Sequence, residues 1–259
     1  MAKRPRKLNI PGPLRIGNLI GLVLILSAGW GVFQWVTAFI HGSPYFKVEK
    51  VDIVLIGRSS LADRTVMDLW NIYKGRNIFM VDLKAARELI MLNYPEVRTV
   101  VVNRVFPDKL VLKIRPRKPV AQIGLTSGFC RVDAEGVVLP EVGGLAQGGL
   151  PIITGLDARA ILAGAGRRSN VTALRKALWL LEITRLMRFS QEHEIHMIDV
   201  SDEKNLSLFI EGGIEIKIGG EDFRRRLGML SRTLNTGRLD KTQIKYIDLR
   251  FGNVILGPR

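Results

Sequence analysis

Residues 95–121 read PEVRTVVVNRVFPDKLVLKIRPRKPVA. Val97 to Val105 is rich in β-branched residues and is bounded by Pro95 before it and Phe106-Pro107-Asp108 after it, the pattern of a strand that ends in a turn. Leu110, Val111, Leu112 and Ile114 supply a second strand, so two consecutive strands are predicted here. At Arg115-Pro116-Arg117-Lys118-Pro119 the composition shifts to cations and prolines, which mark a boundary or an edge crossing.

Upstream, Tyr45-Phe46-Lys47 leads into Val51, Ile53 and Leu55 at period two, a strand that stops at Gly57. Ser60 and Asp63 form a capping box for a helix whose Ala62, Val66, Leu69 and Tyr73 share one face, and Gly75 ends it. Asn77 to Met80 links it to a second helix with Asp82 as N-cap, Leu83, Ala86 and Ile90 as inner face, and Pro95 as stop. The order strand, helix, helix, strand, strand requires one sheet with both helices on one face, an α+β module of about 75 residues at 45–116.

Further toward the N-terminus, Ile16 to Ile40 carries no formal charge, while residues 1–15 contain Lys3, Arg4, Arg6, Lys7 and Arg15 and no acid. As a helix the apolar stretch extends roughly 37 Å, enough to span a hydrocarbon core of ~30 Å with some tilt. Trp35, Phe39 and His41 fall where its outer interface is expected. The basic flank predicts a cytoplasmic tail at 1–15, a transmembrane helix at 16–40 and everything after His41 outside. A cleavable signal has an apolar region of about 7–15 residues followed by a small-x-small site; here Ser27-Ala28-Gly29 lies within the stretch. A soluble core helix is not normally apolar on all faces over this length.

Downstream, short strands dominate residues 117–259: Phe129 to Val132, Val137 to Leu139, Ile195 to Val200, Leu206 to Ile210 and Ile214 to Ile218. Gly212-Gly213 permits a tight turn between the last two. Helices are expected near Val171 to Phe189 and near Glu221 to Leu234, the second with Phe223, Leu227, Leu230 and Leu234 as its inward stripe. Glu141 to Gly149 reads as a glycine-rich loop. Finally Tyr246 to Phe251 alternates, with Ile247, Leu249 and Phe251 on one side and Asp248 and Arg250 on the other. Gly252-Asn253 then bends the chain before Val254-Ile255-Leu256.

The chain holds 39 Lys and Arg against 24 Asp and Glu. Without the five tail cations about +10 remains, a surface suited to anionic headgroups or an acidic partner, whereas an outward-facing domain does not meet nucleic acid. Cys130 is the only cysteine, so no intramolecular disulfide forms. His193-Glu194-Ile195-His196 has metal-like spacing but no third ligand nearby, and no metal or cofactor is expected. Cys130 has no adjacent base, and Gly164 to Ser169 lacks the Gly-Lys-Ser/Thr ending of a phosphate loop and reads as a flexible loop. Arg224-Arg225-Arg226 reads as a solvated helix face. No nucleophile, base and orienting acid come together, which disfavours a hydrolase.

These features together resemble the FtsQ/DivIB family of bacterial cell-division proteins over nearly the whole chain. The resemblance rests on Phe46-Lys47-Val48 with Val51 and Gly57, Pro95-Glu96-Val97, Arg104 to Leu110, and Lys118-Pro119-Val120-Ala121. It continues through Val132-Asp133 with Gly136, Leu150-Pro151 with Gly155, and Tyr246 to Phe251. Pro116 stands where the family usually has a glutamate. The resemblance implies a POTRA-like domain followed by a mostly-β domain with two helices, and a non-enzymatic scaffold of the divisome. It further implies a single-pass protein of the bacterial inner membrane, enriched at the septum, whose last strand pairs with an FtsB-like protein joined to an FtsL-like one. Other division proteins are expected to meet the POTRA-like domain. Arg250, Phe251 and Gly252 are the partner-binding positions so implied: a cation for a carboxylate, an apolar anchor, and the residue beside them. The competing reading, a POTRA-bearing component of protein export or envelope assembly, normally brings several POTRA repeats or a transmembrane barrel, and neither is legible here.

Overall fold

The computed structural model describes residues 16–57, 68, 71–234 and 241–259. The basic tail, the Ser60/Asp63 capping box and the helical positions Ala62, Val66 and Leu69 lie outside the described residues. Helix α1 (Ile16–Gly42) is apolar and, from Leu19 on, largely exposed, and Leu19–Gly42 is long and apolar enough to cross a membrane. It runs two residues beyond the expected Ile40. The side-chain amide of Asn77 explains the extension, since Nδ2 donates to the carbonyls of Ile40 and His41 at 2.8 and 2.9 Å. Those terminal acceptors have no partner within the helix.

Next come β1 (Lys50–Leu55), α2 (Leu83–Asn93), β2 (Val97–Val105) and β3 (Lys109–Pro116), with the three strands in sheet order β1-β3-β2. Asp82 caps α2, its Oδ1 accepting from the N–H groups of Lys84 and Ala85 at 2.8 and 3.1 Å. Alternation in β3 puts Leu110, Leu112 and Ile114 in the core, where Ala86 and Ile90 of α2 are also buried. Each buried Leu or Ile of this kind contributes about 1.5–3 kcal/mol.

By packing, the described chain forms two compact units. One gathers the described residues of Met1–Val54, Val66–Ala86 and Val102–Leu112; the other gathers those of Leu55–Thr65, Arg87–Val101 and Lys113–Arg259. The second unit is built on nine strands. They are β4 (Pro119–Leu125), β5 (Gly128–Asp133), β6 (Val138–Gly143), β7 (Ile152–Thr154), β8 (Ile195–Asp199), β9 (Ser207–Ile210), β10 (Ile214–Lys217), β11 (Ile244–Asp248) and β12 (Ile255–Pro258). Their spatial order is β12-β11-β10-β9-β8-β7-β4-β5-β6. Helices α3 (Ala158–Ala163), α4 (Thr172–Leu186), α5 (Phe189–Glu192) and α6 (Phe223–Leu234) interrupt the strands.

One continuous apolar core joins this sheet to α4 and α6, with Phe223, Leu227, Leu230 and Leu234 all buried as their spacing requires. The β9-β10 hairpin forms across Glu211–Gly213, placing Ile210 opposite Ile214. Pairs β10-β11, β4-β7 and β7-β8 are parallel. A parallel pair needs a long crossover, and α6 lies within the one between β10 and β11. Strands β4 and β7 and helix α3 were not read from the sequence. Gln122 in β4 breaks the apolar run, yet its buried amide is satisfied by the backbone of Gln147 and Leu150 in the loop between β6 and β7.

Candidate functional site

Strand β12 closes one end of the nine-stranded sheet. It pairs antiparallel with β11, setting Asp248 opposite Ile255 and Ile247 opposite Leu256, and no further strand lies beyond it among the described residues. Its outer side is therefore a sheet edge. Ile255 is 45% exposed and Leu256 40%. Pro258 has no N–H to offer, as is usual of prolines confined to sheet edges. The seat of the strand is specific: a Cβ on Gly257 would fall 2.1 Å from the Tyr246 ring. Lys217 sits over the same ring, its Nζ 4.4 Å from the centroid. Arg259 donates from its backbone N–H to the Gln243 carbonyl at 2.9 Å and from its guanidinium to the Gly212 carbonyl, so the end of the strand is tied twice to the sheet.

The approach to β12 departs from the expected alternation. Strand β11 ends at Asp248 and residues 250–253 form a bend, so Phe251 does not continue the face of Ile247 and Leu249. Ile247 and Leu249 are in the core, whereas Phe251 is 60% exposed. Asp248 causes the break. Its nearly buried carboxylate accepts the Arg250 N–H at 3.0 Å, Arg250 Nε at 3.0 Å and Arg250 Nη2 at 2.7 Å. A carboxylate that binds the backbone two residues on folds the chain into a turn. The Arg250 hydrogen bond holds the Asp248 carboxyl below the usual carboxylate range, and in return the Arg250 guanidinium titrates above its ordinary value.

Arg250 is thus an internal clamp. Its Nη1 also donates to Asn205 Oδ1 at 3.1 Å, and the guanidinium lies 5.5 Å from the centre of the Phe251 ring. Arg250, Phe251 and Gly252 are brought together as one bend leading into the edge strand. The residues missed by sequence reasoning are Ile255, Leu256 and Gly257; the signal was the apolar run after Gly252-Asn253.

Other candidates fall elsewhere. His193 is buried with Nδ1 2.7 Å from Glu211 Oε1, while His196 is exposed and 3.8 Å from Glu194, so the two imidazoles have separate partners. Cys130 is buried, and burial pushes its thiol up. In the arginine triplet, Arg224 and Arg225 are exposed as expected, but Arg226 turns inward and donates to the Ile218 carbonyl. Its Nε is buried with no partner.

Comparison with known proteins places these features in a lineage. Residues 46–117 match the family model for the FtsQ-type POTRA domain, and residues 124–250 match that for the C-terminal region of the cell division protein FtsQ/DivIB. The chain is 27% identical over 238 residues to the cell division protein FtsQ of Syntrophotalea carbinolica, covering 91% of this chain and 82% of that one. Against FtsQ of Geotalea daltonii it is 27% identical over 265 residues, covering 98% and 92%. Against FtsQ of Streptomyces venezuelae it is 32% identical over 135 residues, covering 52% and 46%.

Proposed function

The chain belongs to the FtsQ/DivIB family and is a single-pass membrane protein of cell division, and from that premise we propose that it is a non-enzymatic scaffold that docks its partners by strand addition at β12. The partner is an FtsB-like protein joined to an FtsL-like one, whose extended segment lies along the outer side of β12. The open edge at the end of the sheet carries this reading. An added strand satisfies the edge N–H and C=O groups, and side chains alongside give specificity.

In this arrangement Phe251 and Leu256 supply apolar contact next to the backbone pairing. Arg250 holds the bend that presents Phe251 and offers the remaining exposed part of its guanidinium to a partner carboxylate, with Gly252 beside it. The protein acts by position: its anchor confines the edge to the membrane plane and so raises the effective concentration of membrane-bound partners. The tail is cytoplasmic, the rest extracytoplasmic, and the protein collects at the septum, where the domain at 45–116 meets further division proteins.

Two measurements test this. Depletion in growing cells should yield filaments that elongate without dividing; continued division with a defective envelope would reject the reading. Capture of the FtsB-like partner by the full chain in detergent should fall when Phe251 is replaced by Ala, and undiminished capture would move the docking site away from this edge.

A further inference from the structure

The junction between α1 and the rest of the first unit carries a second surface. Immediately after α1, Pro44–Phe46 forms a short 3-10 turn capped by Ser43, and the backbone then locks onto the 75–78 segment. Ile78 N–H donates to the Phe46 carbonyl, and Val48 N–H to that of Arg76, both at 2.8 Å. With the two bonds from Asn77 to the last carbonyls of α1, this fixes the end of the helix against the 75–80 loop. Arg104 holds that loop from behind, donating to the Ile78 carbonyl at 2.9 Å and the Val81 carbonyl at 2.6 Å.

A row of aromatic rings lies on this joint. Tyr45 meets Phe46 edge-on at 5.3 Å, Phe46 meets Phe79 edge-on at 5.1 Å, and Phe79 stacks on Phe106 at 5.1 Å. Tyr45 and Met80 are each 67% exposed and Phe106 57%. Such a contiguous apolar row is costly in water and usually marks an interaction site. Lys47 and Arg76 stand exposed in the two segments bridged here.

We propose that this row is seated in the headgroup layer of the bilayer that α1 crosses, so that the first unit rests on the membrane at a fixed tilt. Leu19–Gly42 would span roughly 36 Å as a helix against a core of ~30 Å, which leaves its last turn among the headgroups. Phe46 stands four residues on from Gly42, a reach of at most about 14 Å. Aromatic rings favour this depth, and cations beside them meet lipid phosphates. The hydrogen bonds from Asn77 and the Phe46–Ile78 pairing keep the row at that depth by preventing the unit from swinging away on a free linker. The surface is distinct from the β12 edge and stands whether or not a partner docks there.

The test uses the full chain in vesicles of phosphatidylethanolamine and phosphatidylglycerol. Cys130→Ala removes the native thiol, and Phe106→Cys or, in a second variant that leaves the stack intact, Met80→Cys takes an environment-sensitive fluorophore. Lipid carrying a nitroxide near its headgroup should quench either probe by about threefold relative to nitroxide-free vesicles. Asn77→Ala in the same background should reduce that quenching. Lipid quenching near zero overturns the proposal. If iodide is also excluded, a protein contact covers the row instead; if iodide quenches freely, the row stands in water.

Discussion

The two ends of the nine-stranded sheet are treated differently by the same chain. At the β6 end the start of the edge is covered: Gly166 N–H donates to the Val138 carbonyl and Ser169 N–H to the Gly136 carbonyl, each at 2.8 Å, and Arg168 bridges to Val137. Gly166 holds a positive φ of 83°, and a Cβ there would come within 2.9 Å of the Pro95 ring. Beside it, Asp133 Oδ1 accepts the N–H groups of Val137 and Glu135 at 2.8 and 3.0 Å, and its Oδ2 meets Arg117 at 2.6 Å. At the β12 end there is a bend, an exposed phenylalanine and no cover among the described residues. An unprotected edge is an aggregation hazard that proteins normally manage, and the strand addition proposed above would cover the β12 edge.

The largest expected effect is at the covered end. Asp133→Ala strips two backbone donors of their acceptor and a nearly buried guanidinium of one of its two carboxylates, and should cost about 3 kcal/mol. Thermal unfolding of the full chain in detergent would show it, with capture of the FtsB-like partner unchanged well below the transition. Were capture to fall in parallel, the two edges could not be treated as independent.

At the open end, Gly257→Val forces a side chain into the Tyr246 ring and should lift β12. Capture is expected to drop more than about tenfold while stability falls by only about 1–2 kcal/mol. Equal losses in both would make β12 a structural strand only. Phe251→Ala sharpens the contrast further: being exposed, it should weaken capture by about tenfold and change stability by no more than about 0.5 kcal/mol.

The smallest effect is in pH. Arg250 lowers the folded-state pKa of Asp248, so the stabilisation by this pair is full above the ordinary carboxylate range and is lost as pH falls through the depressed folded value. Solvent screening limits it to about 1 kcal/mol. Melting curves of wild type and Arg250→Gln taken between neutral and acid pH should converge at the acid end. Parallel curves would show that the pair adds nothing. Charge reversal at Arg250 is a poorer test of docking, since it sets a second carboxylate against Asp248.

Much of the architecture was legible because it is written in short-range periodicity. The stripe Phe223, Leu227, Leu230 and Leu234, the alternation of Leu110, Leu112 and Ile114, and the Asp82 cap each depend on neighbours within about four residues. The bend expected at Gly252-Asn253 in fact begins at Arg250, and that start was not legible because Ile247, Leu249 and Phe251 alternate. An intact strand and a turn made by Asp248 share the same apolar pattern, and only the buried Asp248 carboxylate, bonded to the Arg250 N–H and guanidinium, selects the turn.

What the sequence by itself determined is the order of parts: an apolar helix, a strand-helix-helix-strand-strand module, a strand-rich region and a terminal apolar run. The tertiary structure alone decided which strand has no neighbour and which arginine is already engaged. Edge and interior strands have the same local composition, and they differ only in pairings such as β4 with β7 and β7 with β8, which join residues far apart in the chain.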